Sequence, residues 1–262
     1  MRTLNYIKTL KQELQLKLKT SLHDFDDEEL NAYENELISK VKAYGVAVVP
    51  NFYSEEQCAT MRNEIDQLLV EHKSRISTDD YESDKRLFAA NQVSDKINSY
   101  YTDSFLKKFS ENYIGESIKD GFTLAARMDY KANNPGSGGG WHRDSALEPQ
   151  IKAITYLSNV SAENGPYQYL VKSHKSREIL KLTWSGKVYF NQHRFKDELI
   201  QEVIDHDDLA TFEAKQGTLI LTDTRGIHRG MPIAEGSRYA LTNYYFFDKP
   251  IEDRMRQLFV RP

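Results

Sequence analysis

His142 and Asp144 stand two residues apart in the stretch Trp141-His142-Arg143-Asp144. On an extended strand that spacing turns both side chains to the same side. An imidazole beside a carboxylate is two thirds of a metal site, and the third ligand would have to arrive from elsewhere in the chain. His228, in Asp223-Thr224-Arg225-Gly226-Ile227-His228-Arg229-Gly230, is the candidate. It follows Gly217-Thr218-Leu219-Ile220-Leu221, a run that reads as a strand, so a β-barrel would deliver it as a third ligand. Two histidines and one carboxylate, with coordination positions left open, form the ligand set of non-haem Fe(II) oxygenases. A His-x-Asp pair alone arises by chance in many chains, and Arg238 adds weight to it. It lies ten residues past His228, at the start of an aromatic-rich segment. A buried guanidinium there would present a two-pronged fork to a carboxylate.

The elements that must position these residues fall into two parts. From Phe122 onward, β-rich segments at residues 122–131, 150–157, 167–171, 217–221 and 239–247 alternate with Gly, Asn and Pro clusters. That pattern predicts an antiparallel sandwich or barrel. The run 133–140, Asn-Asn-Pro-Gly-Ser-Gly-Gly-Gly, predicts a tight, exposed turn leading into His142. Residues 172–216 are charged and lack a single period, which predicts helix and loop inserted between strands as a lid. Upstream, Leu4, Ile7, Leu10, Leu14 and Leu18 recur at helical steps. They predict an amphipathic helix over residues 1–20 that packs on the body of its own chain, with a dimer contact as the alternative. A second helix is predicted near residues 30–43, and a short buried strand over 45–50. Ser54-Glu55-Glu56-Gln57 is a capping box, opening a helix with Cys58, Met61, Ile65 and Leu68 or Leu69 on one face. Residues 74–121 are polar and mixed, and only a helix near 102–113 is predicted there. His23, in an acidic run through residue 29, and His193 and His206 read as surface residues; His72 ends a helix.

With 262 residues the chain suits a single domain, mainly β with flanking helices. Its first 121 residues would be mostly helical and residues 122–250 would form the β core, interrupted by the 172–216 insertion. The 35 basic against 39 acidic residues, net −4, argue against a nucleic-acid footprint. The single cysteine, Cys58, cannot form an intrachain disulfide, which points to a reducing compartment. The N-terminus lacks the apolar core of a signal peptide, and no apolar run approaches the ~18 residues of a membrane helix. A cytoplasmic protein without membrane insertion is expected.

Several motifs together carry a family resemblance: residues 45–57 with the helix after them, W-H-R-D, E-N-G-P followed by S-H-K, and H-R-G-M-P with Arg238 downstream. From Gly45 to Phe247 the sequence resembles the phytanoyl-CoA dioxygenase family of Fe(II)- and 2-oxoglutarate-dependent oxygenases. The resemblance implies a double-stranded β-helix (jelly-roll) core. It implies Fe(II) held by His142, Asp144 and His228, with 2-oxoglutarate as cosubstrate, its distal carboxylate gripped by Arg238, and O2 as oxidant. It also implies that Arg127 lines the 2-oxoglutarate pocket, although Asp129 stands where relatives carry Asn and is expected to pair with Arg127 if the correspondence holds. Ile154 would wall the cosubstrate where some relatives place Trp. Gly230 lacks the hydroxyl of the Ser that several relatives carry two residues after the distal His, so another donor must replace it. His174 would sit in a structural turn and not on the metal. The implied reaction releases succinate and CO2 and hydroxylates an unactivated C–H bond. Halogenases of this fold replace the carboxylate ligand with a small residue, so the presence of Asp144 favours hydroxylation over chlorination.

The primary substrate is read more coarsely. Lys152, two residues before Ile154 on the same strand face, would meet an anionic group or else face solvent; Tyr156 and Tyr244 are further inward candidates. No basic cluster for coenzyme A phosphates is evident, so a small polar metabolite or a glycan-linked group is expected over a fatty acyl-CoA. Two other classes stay open. A jelly-roll iron enzyme without 2-oxoglutarate is opposed by the spacing of Arg238. A non-catalytic binding module is opposed by the intact ligand set. The oligomeric state is left open.

Overall fold

The computed structural model describes residues 2–22, 29–203 and 208–259. His23, the acidic run through residue 28, and His206 lie outside the described residues. The elements are α1 (Arg2–Leu22), α2 (Ala32–Tyr44), β1 (Val46–Val49), α3 (Glu55–Glu71), β2 (Asp84–Leu87), α4 (Asp95–Tyr101), α5 (Ser104–Ile114), β3 (Asp120–Asp129), β4 (Ile151–Tyr156), β5 (Tyr167–Leu170), α6 (Ser176–Ser185), α7 (Asp197–Val203), β6 (Leu209–Phe212), β7 (Leu219–Asp223), β8 (His228–Gly230), β9 (Ser237–Phe246) and α8 (Asp253–Arg256). A six-stranded antiparallel sheet runs in the order β1-β7-β4-β9-β3-β2, and a three-stranded one in the order β6-β5-β8. Helical residues outnumber strand residues. The expectation of a mainly β chain is therefore corrected to a mixed helix and sheet architecture, because a full helical layer covers one face of the large sheet.

The two-residue period of the strands sorts that sheet. Odd-numbered residues, among them Leu87, Ala125, Ala153, Leu221, Leu241 and Tyr245, turn outward and share a core with Leu37 and Val41 of α2, Ile65 of α3, Tyr100 of α4 and Phe109 of α5. Even-numbered residues turn inward toward the small sheet. Antiparallel register lines these up in rows across the strands. Lys152, Tyr244 and Phe122 form one, Ile154, Thr242 and Leu124 the next, Tyr156, Ala240, Ala126 and Arg86 the third, and Arg238, Met128 and Asp84 the last. Successive rows are roughly 6.5 Å apart along a strand.

Local signals explain the helix starts. The Ser54 hydroxyl accepts from the Gln57 amide at 3.1 Å and the Gln57 side chain accepts from the Ser54 amide at 2.8 Å. The helix so capped buries Cys58, Met61, Ile65 and Leu68. Gly45, left-handed at φ 92°, closes α2 and leads into β1. Other expectations change. The uninformative stretch 74–121 supplies β2, the edge strand of the large sheet. The insertion 172–216 ends in β6, which pairs with β5 and so belongs to the small sheet. Residues 141–144 form isolated bridges rather than a strand, since His142 pairs singly with His228 and Arg194.

Helix α1 departs most from its pattern. It packs beside α6 with its polar face inward, Thr9 and Glu13 buried, while Leu4, Ile7, Leu10, Leu14 and Leu18 are exposed. The inward face is polar because buried Arg225 requires a carboxylate, and Glu13 supplies it. Gln12 adds a hydrogen bond to the Leu147 carbonyl at 3.1 Å. Among the described residues no helix is long and apolar enough to cross a membrane. Removing one partner of a buried ion pair leaves the other charge uncompensated, at a cost of about 3–5 kcal/mol. Glu13→Ala is therefore expected to lower the urea-unfolding free energy by about that amount. An unchanged midpoint and slope would show that α1 is not held by this pair.

Candidate metal centre and its cavity

His228 opens β8, and His142 lies directly across from it, each backbone amide donating to the other's carbonyl at 2.9 and 2.8 Å. The two imidazole rings come within 4.3 Å, centre to centre. The Asp144 amide donates to the Thr224 carbonyl at 2.9 Å, so the stretch carrying two candidate ligands is pinned along the turn that leads to the third. One donor atom from each of His142, Asp144 and His228 lies within 4.8 Å of the others. Nε2 of His228 is 3.4 Å from one Asp144 oxygen and Nε2 of His142 is 3.9 Å from the other.

The protonation of both rings follows from their partners. Nδ1 of His142 contacts the Gly140 carbonyl at 2.8 Å, and Nδ1 of His228 contacts the Gly226 carbonyl at 2.9 Å. A carbonyl can only accept, so each Nδ1 carries a proton, and in the neutral form of each ring the lone pair falls on Nε2, on the side of Asp144. Burial, reinforced by the neighbouring His228, pushes the His142 pKa down to about 3 against the pull of Asp144. The ring is thus neutral, as a metal ligand must be. Burial by itself would raise the Asp144 pKa, but the Lys152 ammonium outweighs it and holds the carboxyl well below its usual range. Lys152 Nζ donates to Asp144 at 2.6 Å and sits 3.9 Å from the centre of the Tyr244 ring.

These groups line one end of a cavity of about 210 Å³ whose floor is built from the inward rows, Phe122 excepted. Ala126 and Ala240 leave the middle of the floor low. At the far end stands Arg238, buried to 7% exposure, with Met128 Sδ 3.4 Å from Nη2. Among the described residues no carboxylate forms an ion pair with it. Burial lowers its pKa and nearby Arg86 adds to that. Arg86 reaches into the same space, held by Asp84 at 3.0 and 2.5 Å and by the Ser137 hydroxyl at 3.1 Å. The donor set fits a divalent iron, and an unpaired buried guanidinium at the other end fits a carboxylate.

The sequence-derived residues sort as follows. His142, Asp144 and His228 are brought together. Arg238, Lys152, Ile154, Tyr156 and Tyr244 all line the cavity. Lys152 does not face solvent: only 4% of it is exposed. The Tyr156 ring lines the wall, but its hydroxyl is already engaged by the Tyr167 amide and the Phe212 carbonyl. Arg127 is corrected. As an odd residue of β3 it points to the outer face, where it pairs with Asp66 of α3 and with Asp129, each at 2.9 Å. Asp129 also takes Lys85 and Ser237, and these partners overcome burial to bring its pKa to about 2. The hydroxyl missing at Gly230 has a local substitute. A Cβ there would stand 2.7 Å from Ser137 Cβ and 3.1 Å from Arg238 Nη2, so the space is filled by Ser137. The loop 133–140 is correspondingly not a free surface turn, since Ser137 and Gly138 form part of the cavity wall. His174 is buried away from the ligand cluster with Nε2 3.3 Å from the Lys42 carbonyl, and His193 is exposed.

Sequence reasoning missed Arg86, Asp84, Ser137 and Tyr167. Asp84-Lys85-Arg86 has the two-residue spacing that flagged His142 and Asp144, and that was the available signal. A second cavity, of about 380 Å³, also reaches Asp144, between Leu16 of α1, the segment 145–150 and the stretch after β9.

Gly138 and Gly140 offer a matched test of how the loop supports His142. Both have positive φ, but a methyl at 138 would overlap the His142 ring whereas one at 140 meets nothing within 4 Å. Gly138→Ala is expected to weaken Fe(II) binding about 10- to 100-fold, the usual effect of disturbing a ligand's support, and Gly140→Ala far less. Equal effects in a calorimetric Fe(II) titration would remove the steric role of Gly138.

A sequence model of the phytanoyl-CoA dioxygenase (PhyH) family matches residues 41–239. No curated protein matches the chain in sequence. Solved structures with a similar fold include the non-haem α-ketoglutarate-dependent carbocyclase SnoK of nogalamycin biosynthesis, at 15% identity and TM-score 0.62 over 90% of this chain and 93% of that one. The epimerase SnoN, in complex with Fe3+, α-ketoglutarate and nogalamycin RO, is similar at 15% identity and TM-score 0.61 over 82% and 84%. HygX from Streptomyces hygroscopicus, with nickel, 2-oxoglutarate and hygromycin B bound, is similar at 16% identity and TM-score 0.59 over 84% and 88%.

Proposed function

The chain belongs to the phytanoyl-CoA dioxygenase family of iron- and 2-oxoglutarate-dependent oxygenases, and we propose that it hydroxylates an unactivated C–H bond of a small polar metabolite or glycan-linked group. One observation carries the assignment of the site. Three donors with their lone pairs converging, and a buried guanidinium without a carboxylate, occupy opposite ends of one cavity. In this reading His142, Asp144 and His228 hold Fe(II), and Arg238 takes the distal carboxylate of 2-oxoglutarate. Arg86 and Ser137 supply the donors that flank it, and Ile154 and the alanine floor form its apolar wall. Bound Fe(II) and 2-oxoglutarate supply the O2-dependent oxidising chemistry, releasing succinate and CO2. The chain's own part is to set the tautomer of both rings through the carbonyls at Nδ1, to hold Asp144 anionic through Lys152, and to shield the reacting centre between two sheets.

The two antiparallel sheets facing each other across the cavity support a reading as a double-stranded β-helix, within one oxygenase domain whose helical and β parts share a core. The cavity is lined by Arg86, Lys152, Arg194 and Arg238 against Asp84 and Asp144. Iron adds two charges and 2-oxoglutarate removes two, so the cationic surplus of the lining supports a substrate with an anionic group. Buried, unpaired Cys58 agrees with a reducing compartment, and we assign the cytoplasm.

Anaerobic titration with Fe(II) and then 2-oxoglutarate is expected to give the visible charge-transfer band of a chelated keto acid. Asp144→Ala and His228→Ala should abolish both the band and succinate formation. Iron binding without a band would instead favour a jelly-roll iron enzyme that does not use 2-oxoglutarate. Losing a hydrogen-bonded charge contact of about 1.5–3 kcal/mol raises the required ligand concentration by about 10- to 150-fold. Arg238→Ala should raise the 2-oxoglutarate requirement within that range, and an unchanged requirement would place the carboxylate elsewhere. In a screen for stimulated succinate release, anionic polar metabolites should outperform acyl-CoAs; the reverse order would reject the substrate class.

A further inference from the structure

Helix α1 is amphipathic with its apolar side outward. The body of the protein takes Thr9 and Glu13, while Leu4, Ile7, Leu10 and Leu14 face away from it, Ile7 at 55% and Leu14 at 54% exposure. On a helix of 3.6 residues per turn these four share one side, with Lys11 among them and Lys8 at its edge. Beside it, α6 presents Trp184, 54% exposed, whose ring meets Tyr6 at 4.9 Å and lies under the Arg2 guanidinium. Charge singles out the same region. Residues 2–22 hold five cations and one acid, +4 in a chain of net −4, and α6 adds Arg177 and Lys181 against Glu178.

We propose that α1 and the adjoining part of α6 form a docking face for an anionic lipid bilayer surface. The Leu and Ile stripe would enter the boundary between headgroups and acyl chains. Trp184 would lie at the interface, as indole rings prefer, and the lysines would meet acidic headgroups. Charge decides against a second copy of the chain as occupant. Helices that pair with one another flank their apolar seam with both signs of charge. The one acid of α1, Glu13, is buried on Arg225, so two such faces would repel. Docking also has a consequence for access. Leu16 of α1 forms part of the wall of the larger cavity that reaches Asp144, so that cavity would lie beside the lipid surface.

The test is cosedimentation of the full chain with vesicles of phosphatidylcholine alone or mixed with phosphatidylglycerol, at low and high salt, beside sedimentation velocity without vesicles. Binding to the mixed vesicles that fades with salt is expected, with little binding to phosphatidylcholine alone. Lys8→Glu/Lys11→Glu and Ile7→Gln/Leu14→Gln should each weaken it about tenfold or more. Thermal unfolding should stay unchanged, since all four side chains are exposed. A dimer that Ile7→Gln/Leu14→Gln dissociates would overturn the proposal in favour of self-association. Absence of binding, or binding indifferent to both double substitutions, would overturn it outright. The readout needs neither iron nor 2-oxoglutarate, so its failure is distinct from failure of the oxygenase reading.

Discussion

Two backbone carbonyls, those of Gly140 and Gly226, decide what the centre of this molecule can do. Each lies two residues before a histidine and takes the Nδ1 proton of that ring. Without that acceptor a neutral imidazole would be free to carry its proton on Nε2, facing Asp144, and the ligand set would be lost. The carbonyls are themselves placed by tight chain reversals. Gly140 has φ +87°, and a Cβ on Gly226 would overlap the Tyr169 hydroxyl. Tyr169 donates to the Asp223 carbonyl at 2.9 Å, and the Asp223 carboxylate gathers the Tyr113 hydroxyl and the amides of Gln150 and Arg225. The candidate ligands are therefore fixed from the backbone outward, with large buried side chains holding the turns that hold the rings.

Much of this was legible in the sequence, and the failures have a common cause. That His142, Asp144, His228 and Arg238 converge could be anticipated because their chemistry is rare and their spacing matches strand geometry. Which face of a strand looks into the cavity could not be found in the same way. Both faces of the large sheet are covered, one by helices and the other by the small sheet, so no alternation of apolar with polar residues marks the inward side. A one-residue error then flips every side chain, and Arg127 was assigned to the pocket while Ala126 and Met128 occupy it. Arg86 was hidden for a different reason. It lies on a four-residue edge strand in a polar stretch, too short for a period to show. The reversed orientation of α1 could not be inferred either, because the apolar stripe predicts the buried face only when nothing polar inside requires a partner. Here Arg225 does, and Glu13 answers it.

Lys152 draws together the electrostatics of the site. A buried carboxylate is driven toward its neutral form, and a neutral Asp144 would be a poor metal ligand. The ammonium at 2.6 Å prevents this, and burial between Thr222 and Tyr244 leaves Lys152 little freedom to move away. Its own charge persists because the carboxylate and the face of the Tyr244 ring, itself stacked on Phe122 at 4.7 Å, outweigh the penalty of burial. The consequence concerns how many oxygens Asp144 can offer. With one oxygen engaged by an ammonium, the carboxylate would offer a metal chiefly the other, and a ligand that gave one atom would leave more positions free for a chelating cosubstrate and O2 than one that gave two. The same lysine that keeps the aspartate charged would therefore also limit its hold on a metal bound there, in keeping with a centre that must leave coordination positions open.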